Sequence, residues 1–301
     1  MAESTAGPTT GPTAGPTVLV TGATGNTGSR VVRRLREHGA AVRAAARRPG
    51  PEAGADGVRF DWYDPATHAA ALTGVERVYL VAPVGEADPV PLVEPFLAAA
   101  LDRGVRRVVL LSSSAIPADA PGLGALHRLV RDTVPEWAVL RPSWFMQNFT
   151  GDHAVAHAIR GDGWIVTATG DGRVGFVDAD DIAAVAVRAL LDDRPHNTDH
   201  VITGPEALRY ADAARIVAEV SGRRVSHVPV TPGALRERLA DAGMPREFAA
   251  VLAGLDEDIR GGTEDRTTDT VLRVTGREPR SFRDFAKAHR AAWEQGLGTS
   301  R

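Results

Sequence analysis

Gly22, Gly25 and Gly28 stand at three-residue intervals between a β-branched run, "VLVT", and a segment with helical spacing, "SRVVRRLREH". Glycine at such a turn lets backbone N–H groups and a helix N-terminus close on a phosphate, because no Cβ blocks the approach and positive φ is allowed. Further on, "VRAAARR" ends an apolar strand in Arg47 and Arg48, with no acid before Glu52. A 2′-hydroxyl is usually held by a carboxylate at that point, and two guanidiniums suit a 2′-phosphate instead. "LSSS" closes a later apolar run with Ser112, Ser113 and Ser114, and "LRPSWFMQNF" follows the next. Hydroxyls beside Trp144, Phe145, Met146 and Phe149 are suitable material for holding a flat ring, and Asn148 or Gln147 could fix a polar group on it.

The 301 residues are 43% apolar and 24% charged, with a net charge of -3. That balance provides no field for nucleic acid or an anionic membrane. Cysteine is absent, which excludes disulfides, thiolate metal sites and cysteine nucleophiles. Arginine carries nearly all the positive charge, since Lys287 is the only lysine. Residues 1–17 repeat Gly-Pro-Thr at a four-residue period, a composition that can build no core, and read as a disordered tail. No later segment reaches 18 uninterrupted apolar residues. A cytoplasmic protein acting on a small molecule, as monomer or homodimer, is the expectation.

These residues need a scaffold that brings distant turns together. From Val18, strand-like and helix-like segments alternate with short connections, including a helix expected over Leu123–Thr133. The pattern predicts an α/β, Rossmann-type doubly wound parallel sheet over residues 18–150. A smaller, mostly helical lobe is expected over 151–301, with about 179–203 returning to the sheet. The latter contains a helix from Asp180 to Leu191, capped by Asp180 or Asp181, and a strand in "DHVITG".

"TGATGNTGSRVVRRL" resembles the nucleotide loop of the extended and atypical short-chain dehydrogenase/reductases. "VRAAARR", "FDWYD", "LSSS", "LRPSWFMQNF", "VDADDIA" and "ITGPEALRYADAARIVAEVSGR" extend the likeness to the NmrA-like subgroup, from Val18 to Trp293. The "WAVLRPSWFMQNF" piece is most similar to reductases of ergot-alkaloid biosynthesis. The resemblance implies NADP as cofactor, held by Gly22, Thr24, Gly25, Asn26, Thr27 and Gly28 in the loop and by Arg47 and Arg48 at the 2′-phosphate. Asp61 and Trp62 would meet the adenine, Ala82, Pro83 and Val84 would line the groove, and Ser112 would complete the set.

One element of the usual short-chain machinery is missing. Tyr63, Tyr79 and Tyr210 are the only tyrosines, and none has a lysine four residues on to make it a proton donor. Hydride transfer to an iminium, a quinone or a conjugated enone can proceed without such an acid. His127, Ser113 and Asn148 are the catalytic candidates, His127 because it resembles a histidine at the same place in the ergot-type enzymes. Trp144, Phe145, Met146 and Phe149 are the expected substrate surface. His153 and His157, four apart, lack a third ligand, so no metal is expected. The expected function is an NADPH-dependent reductase of a small apolar ring compound in specialised metabolism. The rival readings are an NADP-binding redox sensor and an isomerase or cyclase that uses the cofactor structurally.

Overall fold

The computed structural model describes residues 15–50, 54 and 56–294, so most of the Gly-Pro-Thr tail and Glu52 lie outside the described residues. Chain order begins β1 (Thr17–Val20), α1 (Asn26–Glu37), β2 (Ala41–Ala46), β3 (Gly57–Arg59), α2 (His68–Ala71) and β4 (Arg77–Val81). It continues with α3 (Val90–Asp102), β5 (Arg107–Leu111), α4 (Leu123–Thr133) and β6 (Glu136–Pro142). The first strand starts at Thr17, which pairs with Ala41, so the sheet claims one residue assigned to the tail.

Seven strands form one sheet in the order β3-β2-β1-β4-β5-β6-β9, where β9 is Thr198–Ile202. Every pairing in it is parallel. Parallel strands lie buried on both faces, which is why their sequences are continuous apolar runs rather than alternating ones. One face is covered by α1 and by α6 (Ala179–Leu191), packing Val31, Leu35, Ile182 and Ala186 on Val18, Val20 and Tyr79. The other is covered by α3 and α4, with Phe96, Leu97, Leu126 and Val130 on Leu19, Val78 and Leu110. The chain builds outward from β1 to β3, then crosses back to lay β4 on β1's other edge. That reversal opens a crevice at the carboxyl ends of β1 and β4, the usual ligand position in such sheets.

Helix α6 is capped by Asp178, whose side chain accepts from Asp180 N–H, rather than by the two aspartates the sequence suggested. Asp180 instead binds Arg30 and Arg33 of α1. Asp181 accepts the Arg280 N–H.

The second lobe comprises α5 (Ala154–Arg160), β7 (Trp164–Thr167), β8 (Arg173–Val174), β10 (Leu208–Arg209), α7 (Tyr210–Ser221), β11 (Ser226–Pro229), α8 (Pro232–Asp241), α9 (Arg246–Arg260) and α11 (Phe282–Ala288), while α10 (Thr270–Thr275) packs on α6 and β9, with Val271 in the core of the sheet. Its core is aromatic, with Phe149, Phe176, Tyr210 and Phe282 in mutual edge or stacked contact. Among the described residues no helix is long and apolar enough to cross a membrane.

A histidine pair ties β9 to the end of α6. His200 Nε2 shares a 2.9 Å hydrogen bond with His196 Nδ1, and His196 Nε2 lies 3.2 Å from Asp192. His200 is buried and its Nδ1 has no partner among the described residues. Burial, then the neighbouring His196 and Arg273, pushes its pKa from 6.5 down to about 4. The fold therefore holds it neutral while the unfolded chain takes up a proton below 6.5, so stability is present above that pH and lost as pH falls towards 4. A tenfold difference in proton affinity between the folded and unfolded chain is worth about 1.4 kcal/mol, so urea unfolding should show roughly 2 kcal/mol lost between pH 7.5 and 5 from this residue. The loss should shrink by that amount in His200→Gln. An unchanged slope would place the proton uptake elsewhere.

Candidate active site

A groove of about 420 Å³ crosses the carboxyl edge of the sheet. Its wall on the β1 side is the glycine turn, with Gly22, Thr24, Gly25, Asn26 and Thr27 facing it. Gly22 has φ +61, a left-handed conformation that side chains resist. Gly25 is the N-cap of α1 with ordinary extended backbone; no side chain caps the helix and no acid sits in its first turn. The positive end of the helix and its free N–H groups therefore face the groove undiluted. Gly28 does something different. It is buried and does not line the groove, and a Cβ there would sit 2.1 Å from the Gly22 carbonyl oxygen. It lets the helix pack against the turn, which corrects its expected place among the cofactor contacts.

Thr21, which sequence reasoning passed over, fastens the reversal point. Its buried hydroxyl accepts the Val81 N–H at 2.7 Å and lies within bonding distance of the Tyr79 and Val81 carbonyls. A buried threonine between β1 and β4 carries no signal in a single sequence.

At the next strand ends, Ala45, Ala46 and Arg47 contribute from β2, and Phe60, Asp61, Trp62 and Tyr63 follow β3. Arg47 and Arg48 are both exposed, and neither makes a hydrogen bond or ion pair among the described residues. Arg47 lines the groove; Arg48 lies outside it. Asp61 turns its carboxylate onto the Tyr63 N–H, and its carbonyl oxygen lies 2.9 Å from His68 Nε2. Trp62 packs edge-on to Phe60 and Phe96, at 4.8 and 5.2 Å between ring centres, so the core fixes the indole that meets the groove. Beyond β4, Ala82, Pro83 and the exposed Val84 form the opposite wall, and Tyr63 reaches across to Glu86 at 3.1 Å. That bond, with the charges of Glu86 and Asp61, raises the Tyr63 pKa.

Leu111 of β5 and Phe145 after β6 close the far end. Ser112 N–H donates to Leu140 and Ser114 N–H to Pro142, so the ladder runs on past β5. Alternation then puts Ser113 on the same face as Leu111, which lines the groove, and turns Ser112 and Ser114 to the other face. Ser112 is buried and absent from the groove lining, against expectation.

The remaining expected site residues separate. Trp144 and Asn148 are half-buried and, like Ser113, lie next to the groove's far end in sequence without lining it. Met146 and Phe149 have no exposed surface and belong to the second lobe's core, so they offer nothing to a substrate. Gln147 is structural too, donating to Asp178 and accepting the Ala179 N–H.

His127 is corrected most firmly. Helix α4 leaves the carboxyl edge and runs back along the sheet, which carries His127 down against Trp137, the second residue of β6. It is 4% exposed, its Nδ1 has no partner among the described residues, and burial lowers its pKa, so it is neutral and shut away from the groove. His153 uses its ring to cap α5, and His157 lies 2.7 Å from Asp152. Among the described residues no cluster could hold a metal.

The groove therefore offers an unopposed helix terminus, a turn without side chains and, in Arg47, a cation with no ion pair among the described residues. That set fits a dinucleotide diphosphate with a further phosphate at the β2 end. Residues 22–193 match a family model described as NAD(P)H-binding. The oxidoreductase YesF of Bacillus subtilis is 50% identical over 278 residues, covering 92% of this chain and 96% of its own. Agroclavine dehydrogenase of Claviceps fusiformis is 38% identical over 284 residues, with 92% and 98% covered. In fold, the chain resembles an NADPH-dependent quinone oxidoreductase of Escherichia coli complexed with NADPH, at TM-score 0.75 and 23% identity over 90% of this chain and 99% of that one. The chain belongs to the NAD(P)H-binding family and is an NAD(P)-dependent oxidoreductase.

Proposed function

We propose that the protein is an NADPH-dependent reductase of planar ring compounds whose reduction leaves little unstabilised negative charge: iminium ions, quinones or conjugated enones. The observation that carries this is the absence, among the described residues, of a phenol at the hydride end of the groove. Tyr79 and Tyr210 are buried in the two cores, and Tyr63 stands at the opposite end. Lys287 pairs with Asp284 on α11. When bound, NADPH supplies the hydride. The chain's own share is to orient and shield: the glycine turn and α1 hold the diphosphate, Phe145 and Leu111 give a dry floor, and the Ser113 hydroxyl can donate to an oxygen as it gains charge. Trp144 and Asn148, half-buried and beside Phe145 in sequence, are the proposed ring contacts. An agroclavine dehydrogenase among the relatives and a quinone oxidoreductase among the fold neighbours support a ring compound such as a quinone as acceptor.

Arg47 is the proposed 2′-phosphate contact. Arg47→Ala should weaken NADPH by about 1.5–3 kcal/mol, ten- to a hundredfold, and leave NADH nearly untouched. Arg48→Ala should have a smaller effect, since Arg48 lies off the groove. Calorimetric titration with both cofactors measures this, and equal losses for the two would remove Arg47 from the phosphate. The function itself is tested by following NADPH consumption against a panel of iminium, quinone and enone acceptors. Tight NADPH binding with silence across the panel would favour the sensor reading. Product formation without cofactor consumption would favour an isomerase or cyclase.

A further inference from the structure

Glu264 lies in the turn-rich stretch "RGGTEDRTTD" of the second lobe, yet its carboxylate is buried at the carboxyl ends of β5 and β6. Ser114 Oγ donates to Glu264 Oε2 at 2.7 Å, and Ser143 Oγ donates to the same oxygen at 3.3 Å. Arg266, two residues on, bonds Glu264 Oε1 and the Ser114 carbonyl. From the other side Arg141 of β6 donates to the carbonyls of Ser114 and Ile116, at 3.4 and 3.1 Å, while its other arm pairs with Asp199. The seat is tight: a Cβ on Gly175 would lie 2.7 Å from the Arg266 carbonyl oxygen. The serine turn is thus clamped by one carboxylate and two guanidiniums, with the carboxylate and one guanidinium coming from a loop 150 residues away in sequence.

The direction of each proton follows from chemistry. A carboxylate held by Arg266 can only accept, so the hydrogens of Ser114 and Ser143 point at Glu264 and neither serine can donate elsewhere. Ser113 differs, because its Oγ accepts the Ala115 N–H at 3.3 Å and its own hydrogen has no acceptor among the described residues. It lies on the same face of the extended ladder as Leu111, which lines the groove. Of Ser113, Ser114 and Ser143, Ser113 is therefore the one whose hydroxyl is left to donate, next to Leu111 at the far end of the groove.

We propose that Glu264 is a positioning residue for the reduction: by committing Ser114 and Ser143 to itself it fixes the turn so that Ser113 presents a donor to the oxygen of an oxygen-bearing acceptor. The proposal rests on the reductase reading. It predicts coupling between residues that never touch. With 1,4-naphthoquinone as probe, Glu264→Gln and Ser113→Ala should each lower kcat by about ten- to a hundredfold, with NADPH affinity kept within a factor of about two. The double variant should be little worse than either single one. With an N-methyl dihydroisoquinolinium probe, which develops no oxyanion, both variants should stay near wild type. A binding readout needs no turnover: 1-naphthol affinity for the NADP⁺ complex should fall in both single variants and no further in the double.

Additive losses in the cycle, equal losses on both probes, or unchanged quinone turnover in Glu264→Gln would each overturn the proposal. If Glu264→Gln fails to fold, Ser114→Ala takes its place in the cycle with Ser113→Ala, and additivity there overturns the proposal equally. A wild-type protein that binds NADPH but neither reduces the probes nor binds the naphthol overturns the reductase reading as well, which separates the two failures.

Discussion

Gly25→Val is expected to abolish NADPH binding without unfolding the protein. Gly25 has φ -82 and ψ 178, a conformation any residue adopts, and its added Cβ would meet only the Gly22 carbonyl oxygen, at 3.3 Å. The rest of the valine would stand over the free N–H groups at the start of α1, the proposed seat of the diphosphate. Losing two charge-assisted bonds at about 1.5–3 kcal/mol each means a weakening of more than roughly a hundredfold. Gly28→Ala supplies the contrast. Its Cβ would fall 2.1 Å from backbone, so α1 must separate from the turn and the melting temperature should drop by several degrees. Calorimetric titration and a thermal melt on both variants measure the difference. A Gly25→Val protein that binds NADPH within a few-fold of wild type would mean the diphosphate lies elsewhere.

The second large effect is a rate gap between acceptors. General acid catalysis accelerates by about a hundred- to ten-thousandfold, so isolated ketones should lag behind iminium ions and quinones by that order in kcat/KM. The geometry also decides what His127 contributes. A neutral imidazole buried against Trp137 has no path to the groove, so His127→Ala should leave the ratio of ketone to iminium rates unchanged. It should lower stability instead, because it empties space in a packed face. Stopped-flow measurement on one ketone and one iminium acceptor, in wild type and variant, tests both statements. Comparable rates on the two acceptors would require a general acid at the far end of the groove that the described residues do not show.

Local physics made much of this protein legible in its sequence. A strand, three glycines and an amphipathic helix can be recognised without tertiary information, because φ preference, absence of Cβ and 3.6-residue spacing are properties of the segment itself. For the same reason α4 could be read as Leu123–Thr133 with its bounds intact. The guanidiniums at the end of β2 and the lack of any Tyr-x-x-x-Lys are plain facts of residue type. Depth is not a property of a segment. "WFMQNF" is a run of large side chains, and only packing against Phe176, Tyr210 and Phe282 decided that Phe149 is core while Phe145 meets the groove. His127 lies on a correctly read helix, but the direction in which α4 returns along the sheet took it away from the chemistry. Glu264 shows the strongest case: a charged residue in a polar loop reads as solvated, and it became a buried acceptor only because the second lobe lays that loop across the ends of β5 and β6. Residue order limits the conformations open to short stretches; which side chains lose water, and which of them meet, is settled by contacts between parts of the chain too far apart for any local pattern to record.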